Sequence, residues 1–218
     1  MKITIMKKLA IFDLDGTLFD TLDDITSAGN YALDIMGFPT YDKNSYKNFI
    51  GQGLKHTCAA ALGKNTSEEN IDRMIELYKK YYSENKVDDA KLFVGVLDVL
   101  DELKANGITL AVATNKSDTL AKTIVERIAG EAFFSYICGS NEEIYKPDPS
   151  VIMKILEATG LKKHEAVMIG DSEIDLLTAK NSGIQSVFCA WGYGERNCKT
   201  KADYYIEKPT ELINIFEI

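Results

Sequence analysis

The chain has 218 residues, with 25 Lys and Arg against 33 Asp and Glu, a net charge of −8. That balance argues against a nucleic-acid backbone or an anionic membrane surface as partner, and no apolar run reaches the roughly 18 residues of a membrane span. An apolar fraction of 45% at this length supports one large α/β domain, or a core with a smaller inserted unit.

Met1–Lys8 is too short and too charged for a signal peptide, and Met6 is a candidate start because an apolar run begins directly after Lys7-Lys8. Cys58, Cys138, Cys189 and Cys198 lack CxxC or metal-ligand spacing and read as reduced thiols, mostly in the core. The expected location is the cytoplasm. The first element is Leu9-Ala10-Ile11-Phe12, a buried strand. From about residue 20 to 88 the pattern is helical throughout. Thr21-Leu22-Asp23-Asp24 fits a capping box that opens a helix ending near Gly37. A second long helix is expected from Ser67 to Lys86, with Ile71, Met74, Ile75, Leu77 and Tyr78 at helical spacing.

The pattern then alternates. Helices are predicted at Val96–Asn106, Ser117–Gly130, Pro149–Thr159 (with Asp148 as N-cap) and Glu173–Ser182, plus a C-terminal helix. Strands are predicted at Ile108–Ala113, Tyr136–Gly139, Ala166–Gly170, Val187–Cys189 and Tyr204–Ile206. Strands separated by helices imply a parallel sheet with right-handed crossovers. The expected fold is therefore α/β: a Rossmann-like core (1–19 and 90–218) with helices on both faces, and a small all-helical cap domain (20–89) inserted after the first strand.

In such a sheet the carboxyl ends of the strands share one edge, where ligands bind. The first strand ends at Asp13 and Asp15, the next at Thr114-Asn115, and the third leads to Lys146-Pro147. The fourth ends at Asp171-Ser172, followed by Asp175. Several carboxylates, one hydroxyl and one lysine on one edge suit a divalent cation plus an anion. Asp175 also completes a capping box with Ser172.

The ordered set DLDGT, Thr-Asn, Lys-Pro and GDSEID resembles the haloacid dehalogenase superfamily over essentially the whole chain. DLDGTLFDTLDDI, Ile50-Gly51-Gln52-Gly53 and Trp191-Gly192-Tyr193-Gly194 resemble its phosphoglycolate phosphatase branch. The resemblance implies Asp13 as the nucleophile that forms an aspartyl-phosphate, and Asp15 as general acid and then base. It implies Thr114 and the Asn115 backbone N–H as phosphoryl donors, and Lys146 as a bridge between phosphate and Asp13. It implies Mg²⁺ held by Asp13, the Asp15 carbonyl, Asp171 and, directly or through water, Asp175. In the cap, Gly51 and Gly53 are candidates for close backbone approach to an anionic substrate, with Lys55 and His56 next to them as candidate carboxylate readers. Trp191 and Tyr193 are candidates for the rim or for packing.

The function expected is hydrolysis of a small phosphate monoester, with phosphoglycolate first and pyrophosphate or sugar and nucleotide phosphates as alternatives. A phosphate-binding protein without catalysis and a phosphotransferase to another acceptor are the rival classes. The chain is expected to act as a monomer or homodimer.

Overall fold

A computed structural model describes residues 6–85, 90–130, 133–141 and 144–218. Met1–Ile5, the segment on which the choice of start bears, and Lys86, the expected end of the second cap helix, lie outside them. The chain folds into two compact units, one of residues up to Phe19 and from Leu92 onward, the other Asp20–Lys91. No described helix is long and apolar enough to cross a membrane.

The strands in chain order are β1 (Leu9–Phe12), β2 (Phe19–Asp20), β3 (Lys91–Leu92), β4 (Thr109–Ser117), β5 (Tyr136–Ser140), β6 (Ala166–Gly170), β7 (Gln185–Cys189) and β8 (Tyr204–Ile206). The helices are α1 (Leu22–Ile35), α2 (Lys43–Phe49), α3 (Leu54–Leu62), α4 (Glu68–Asn85), α5 (Val96–Ala105), α6 (Asp118–Ala129), α7 (Ser150–Thr159), α8 (Glu173–Ser182) and α9 (Leu212–Ile215).

The larger unit is built on a six-stranded sheet in the order β5-β4-β1-β6-β7-β8, and every pairing is parallel. β1 lies at its centre, which is why all four of its residues are apolar and buried. Alternate residues face opposite sides. Leu9 and Ile11 join Val151, Ile152 and Ile155 of α7 and Ala179 of α8 in one core. Phe12 faces the other side, beside Val96, Val99 and Leu100 of α5 and Leu212 of α9. Helices thus cover both faces, as the alternating pattern predicts. Strand order reverses at β1, with β4 and β5 on one side and β6 to β8 on the other, which places a ligand crevice at the strands' carboxyl ends.

The smaller unit packs α1, α3 and α4 around Ala32, Leu33, Cys58, Leu62, Met74 and Leu77. The short helix α2 is held from outside its own sequence. Asp42 caps it by accepting from the Ser45 N–H, and the buried Tyr46 donates to Asn30 and packs against Gly29.

Two expected caps differ. Thr21 has φ −111° and ψ 4°, and its side chain makes no capping bond, because the chain arrives from β2 in a conformation unlike an extended N-cap. α7 starts one residue later than expected, with Pro149 at the N-cap position, while the Asp148 carboxylate accepts from the Ser150 N–H at 2.8 Å.

Candidate active site

Register brings the polar strand ends level. Phe12 is opposite Val112 of β4 and Ile169 of β6, so Asp13 emerges between the ends of both neighbours. The Asp13 N–H still donates to the Ile169 carbonyl at 2.8 Å, which extends the ladder to Asp13. β4 departs from regular register between Ala113 and Ser117, the stretch that carries Thr114, Asn115 and Lys116. Such irregularities re-aim side chains at strand ends. Beyond Asp13 the chain turns at Gly16, whose φ of +87° is in the left-handed region, and a Cβ there would run into the Asp171 carboxylate.

Lys146 is the hub. Its Nζ lies 2.7 Å from Asp13 Oδ1 and 2.6 Å from Asp175 Oδ1, and its side chain is only 2% exposed. The Asn115 amide fixes the Lys146 backbone from both ends. Oδ1 accepts from the Lys146 N–H at 2.6 Å and Nδ2 donates to the Lys146 carbonyl at 3.0 Å. Asp175 fills its capping role as well, accepting from the Ser172 N–H at 3.0 Å and the Ser172 hydroxyl at 2.6 Å. Capping and site membership, alternatives in the sequence, coexist on its two oxygens.

Asp171 is held by donors that the sequence did not reveal. Its Oδ2 accepts from the N–H groups of Tyr193 (2.7 Å) and Gly194 (3.0 Å), and its Oδ1 from the Thr17 hydroxyl (3.1 Å). Gly194 has no alternative here, since a Cβ would overlap the Asp171 carbonyl. Trp191 and Tyr193 each have an internal contact. The indole donates to the Thr17 carbonyl at 3.0 Å, and the Tyr193 ring lies 6.1 Å from that of Phe93.

Asp15 stands apart from the other acids. Its carboxylate pairs with Lys116, Nζ to Oδ1 at 3.0 Å and to Oδ2 at 3.2 Å. Thr114 is buried, and its hydroxyl accepts from the Lys116 N–H at 3.2 Å. Nothing local in the sequence singles out Lys116, since Asp15 lies 101 residues away.

Gly51, Gly53 and Lys55 belong to the smaller unit. Gly51 and Gly53 have φ of +102° and +89°, and Gly53 is the N-cap of α3. Lys55 pairs with Glu68 at 2.9 Å, both side chains largely exposed. The His56 ring lies 3.3 Å from the Phe49 carbonyl, a structural contact. The thiols of Cys58, Cys138 and Cys189 are buried, and burial pushes each of them above the ordinary thiol range. That leaves no activated sulfur among them.

Asp13, Asp171 and Asp175 each offer an oxygen within 4.8 Å of the others. Lys146 contacts Asp13 and Asp175, and Asp171 adds a third carboxylate beside them, so the acids outnumber the one ammonium. The electrostatics register that excess. Burial, then the charges of Asp175 and Asp171 against the opposing pull of Lys146, raises the Asp13 carboxyl to about 8. Burial and Asp175 raise Asp171 to about 6 despite its three donors. Burial opposes the Lys146 charge, but Asp13 and Asp175 outweigh it and push its pKa up. An all-oxygen donor set with more carboxylates than cations fits a hard divalent cation.

The pH dependence of stability follows. Without metal, the folded state keeps a proton on Asp13 up to about 8, whereas an unfolded Asp has released it above about 4. The folded state binds more protons across that window, so stability falls as pH rises through it. Thermal melts in EDTA should decline from pH 5 to pH 8, and millimolar Mg²⁺ should flatten the decline by favouring the ionised carboxylates. Equal pH slopes with and without Mg²⁺ would rule out this carboxylate group as the metal site.

The sequence comparisons agree with this geometry. A family model described as haloacid dehalogenase-like hydrolase matches residues 10–189, which spans every strand-end residue above. The chain belongs to the haloacid dehalogenase-like hydrolases. It is 29% identical over 211 residues to a phosphoglycolate phosphatase from Aquifex aeolicus, covering 96% of this chain and 97% of that protein. It is 32% identical to a phosphoglycolate phosphatase from Agrobacterium fabrum, covering 86% and 82%. Among solved structures, a haloacid dehalogenase-like hydrolase from Streptococcus pneumoniae superposes with a TM-score of 0.86 at 30% identity, covering 96% of this chain and 98% of that one. The shared architecture of these hydrolases is the parallel α/β core described above.

Proposed function

We propose that this hydrolase is a Mg²⁺-dependent phosphatase that acts through an aspartyl-phosphate on Asp13, with phosphoglycolate as its substrate. The observation that carries the reading is the buried Asp13–Lys146–Asp175 arrangement beside Asp171 at the carboxyl edge of β1. The relatives named as phosphoglycolate phosphatases support the substrate.

The difficulty in such a reaction is that a carboxylate must meet a phosphate dianion. Two unit charges about 4 Å apart repel by about 4 kcal/mol at an effective dielectric of about 20. Lys146 supplies one compensating charge at the nucleophile. Asp13, the Asp15 carbonyl, Asp171 and Asp175 would hold the cation. When bound it supplies further charge neutralisation and polarises the phosphoryl oxygens.

Asp13 attacks phosphorus and takes the phosphoryl group. Asp15 gives a proton to the leaving oxygen, and the same group then draws a proton from the water that attacks the aspartyl-phosphate. That second attack frees inorganic phosphate and restores Asp13. Thr114 and the Asn115 N–H donate to the phosphoryl oxygens, where transition-state charge is spread. The Asn115 side chain, bonded at both ends to the Lys146 backbone, fixes the lysine that must track that charge.

The test is phosphate release from phosphoglycolate, pyrophosphate, sugar phosphates and nucleotides, each with Mg²⁺ and with EDTA. The expected result is metal-dependent release with a sharp preference for phosphoglycolate. Comparable slow rates on many esters would keep the chemistry and remove the substrate. No release from any ester would favour the binding-protein or transferase classes.

A further inference from the structure

We propose that the loop of residues 191–194 restricts Asp171 to a single oxygen as a metal ligand, and that this restriction makes the site select Mg²⁺ over Ca²⁺. The inference rests on the phosphatase reading above, in which Asp171 helps to hold the cation, and adds how the chain chooses the ion.

A carboxylate has about four lone-pair sites, two on each oxygen. On Asp171 Oδ2 both are taken, by the N–H groups of Tyr193 at 2.7 Å and Gly194 at 3.0 Å. Oδ1 accepts from the Thr17 hydroxyl at 3.1 Å and keeps its second site for a cation. Main chain also lies against Oδ2, since a Cβ on Gly16 or Gly192 would run into that oxygen.

The loop is not free to withdraw. The Trp191 indole donates to the Thr17 carbonyl at 3.0 Å, which ties the loop to the residue whose hydroxyl holds Oδ1. Gly194 lies so close to the Asp171 main chain that a Cβ would overlap its carbonyl. A cation that captured Oδ2 would strip two N–H groups of their acceptor, and donors left unmade are costly.

Asp175 is divided in the same way. Its Oδ2 accepts from the Ser172 N–H and hydroxyl, and its Oδ1 faces Lys146. Each of these two acids therefore offers a cation one oxygen.

Ion chemistry turns that into a preference. Mg²⁺ demands a near-ideal octahedron and keeps several waters, so single carboxylate oxygens serve it. Ca²⁺ takes about six to eight oxygens and readily uses both oxygens of one carboxylate. Acids that each present one oxygen deny Ca²⁺ the ligands it would gain. Loosening the loop would release Oδ2 and return one of them.

The experiment titrates Mg²⁺ and Ca²⁺ separately into substrate-free enzyme by calorimetry, at one pH and ionic strength. The proteins are the wild type, Gly194→Ala and Trp191→Phe, with thermal melts to confirm folding. The wild type should bind Mg²⁺ more tightly than Ca²⁺. Gly194→Ala, whose Cβ pushes the loop off Asp171, should weaken Mg²⁺ by about 10- to 100-fold, the scale of losing a group that orients a metal ligand. Ca²⁺ should weaken less or tighten, so the ratio of the two dissociation constants shifts toward Ca²⁺ by about 10-fold. Trp191→Phe keeps an aromatic ring without the indole N–H. It should shift the ratio the same way by a smaller factor, and it carries the test should Gly194→Ala fail to fold.

Weakening of both ions by one factor would give the loop a structural role alone and overturn the proposal. A wild type with no preference between the ions would overturn it too. The metal-dependent phosphatase reading stands in both cases. A wild type that binds neither ion would remove that reading, and the proposal with it.

Discussion

Asp13→Asn abolishes phosphate release and leaves the fold intact. The expected loss is roughly four orders of magnitude or more, the scale on which removing a covalent nucleophile acts. The amide is nearly isosteric, keeps an oxygen for Lys146 at the 2.7 Å contact, and cannot carry the phosphoryl group. It also removes one of the three crowded carboxylates. In EDTA at pH 8 the variant should therefore melt no lower than the wild type, and Mg²⁺ should raise its melting temperature by less. Circular dichroism melts and a phosphate-release assay on one preparation check all three statements. A folded variant with normal turnover would remove Asp13 from the chemistry.

Lys146→Ala acts in the opposite electrostatic direction. It leaves Asp13 and Asp175 without their ammonium in a buried space beside Asp171. Removing one partner of a buried ion pair destabilises by about 3–5 kcal/mol, because the charge left behind is uncompensated. Urea unfolding in EDTA near pH 7 should show a loss on that scale. Mg²⁺ should stabilise this variant more than it stabilises the wild type, since the local excess charge is larger. Turnover should fall as well, through the lost charge at the phosphoryl group. A loss below about 1 kcal/mol, the level of an exposed ion pair, would mean that water or a rearranged partner reaches the carboxylates.

The opposite signs expected for the two variants make them informative together. A purely structural role for the cluster predicts destabilisation in both. A metal-binding cluster predicts weaker Mg²⁺ stabilisation in one and stronger in the other.

Much of this arrangement was legible in the chain. The apolar Leu9–Phe12 run before two acids located the central strand and put Asp13 at its carboxyl end, because a buried parallel strand is apolar throughout and its carboxyl end faces ligands. Glu173–Ser182 was bounded correctly since Ser172, Asp175 and Gly183 are local signals for its two ends. Elements whose limits depend on distant residues were less legible. The polar helix α2 owes its place to Tyr46 against Asn30 and Gly29, contacts that no local pattern announces. β4 runs to Ser117 rather than Ala113, through the irregular stretch that delivers Lys116. Lys116 itself was invisible because its partner, Asp15, lies 101 residues away. The clamp on Asp171 escaped for another reason. Two of its donors are backbone N–H groups, of Tyr193 and Gly194, which carry no residue-type signature.

The most direct test of the central claim is to trap the covalent species. The enzyme is mixed with phosphoglycolate and Mg²⁺, quenched in acid within the first turnovers, reduced with borohydride and digested for peptide mass spectrometry. Borohydride converts an aspartyl-phosphate to homoserine and leaves a free aspartate unchanged. The account predicts homoserine at position 13, dependent on substrate, and aspartate at positions 15, 171 and 175. Steady turnover with no conversion at Asp13, or conversion at another acid, would contradict it.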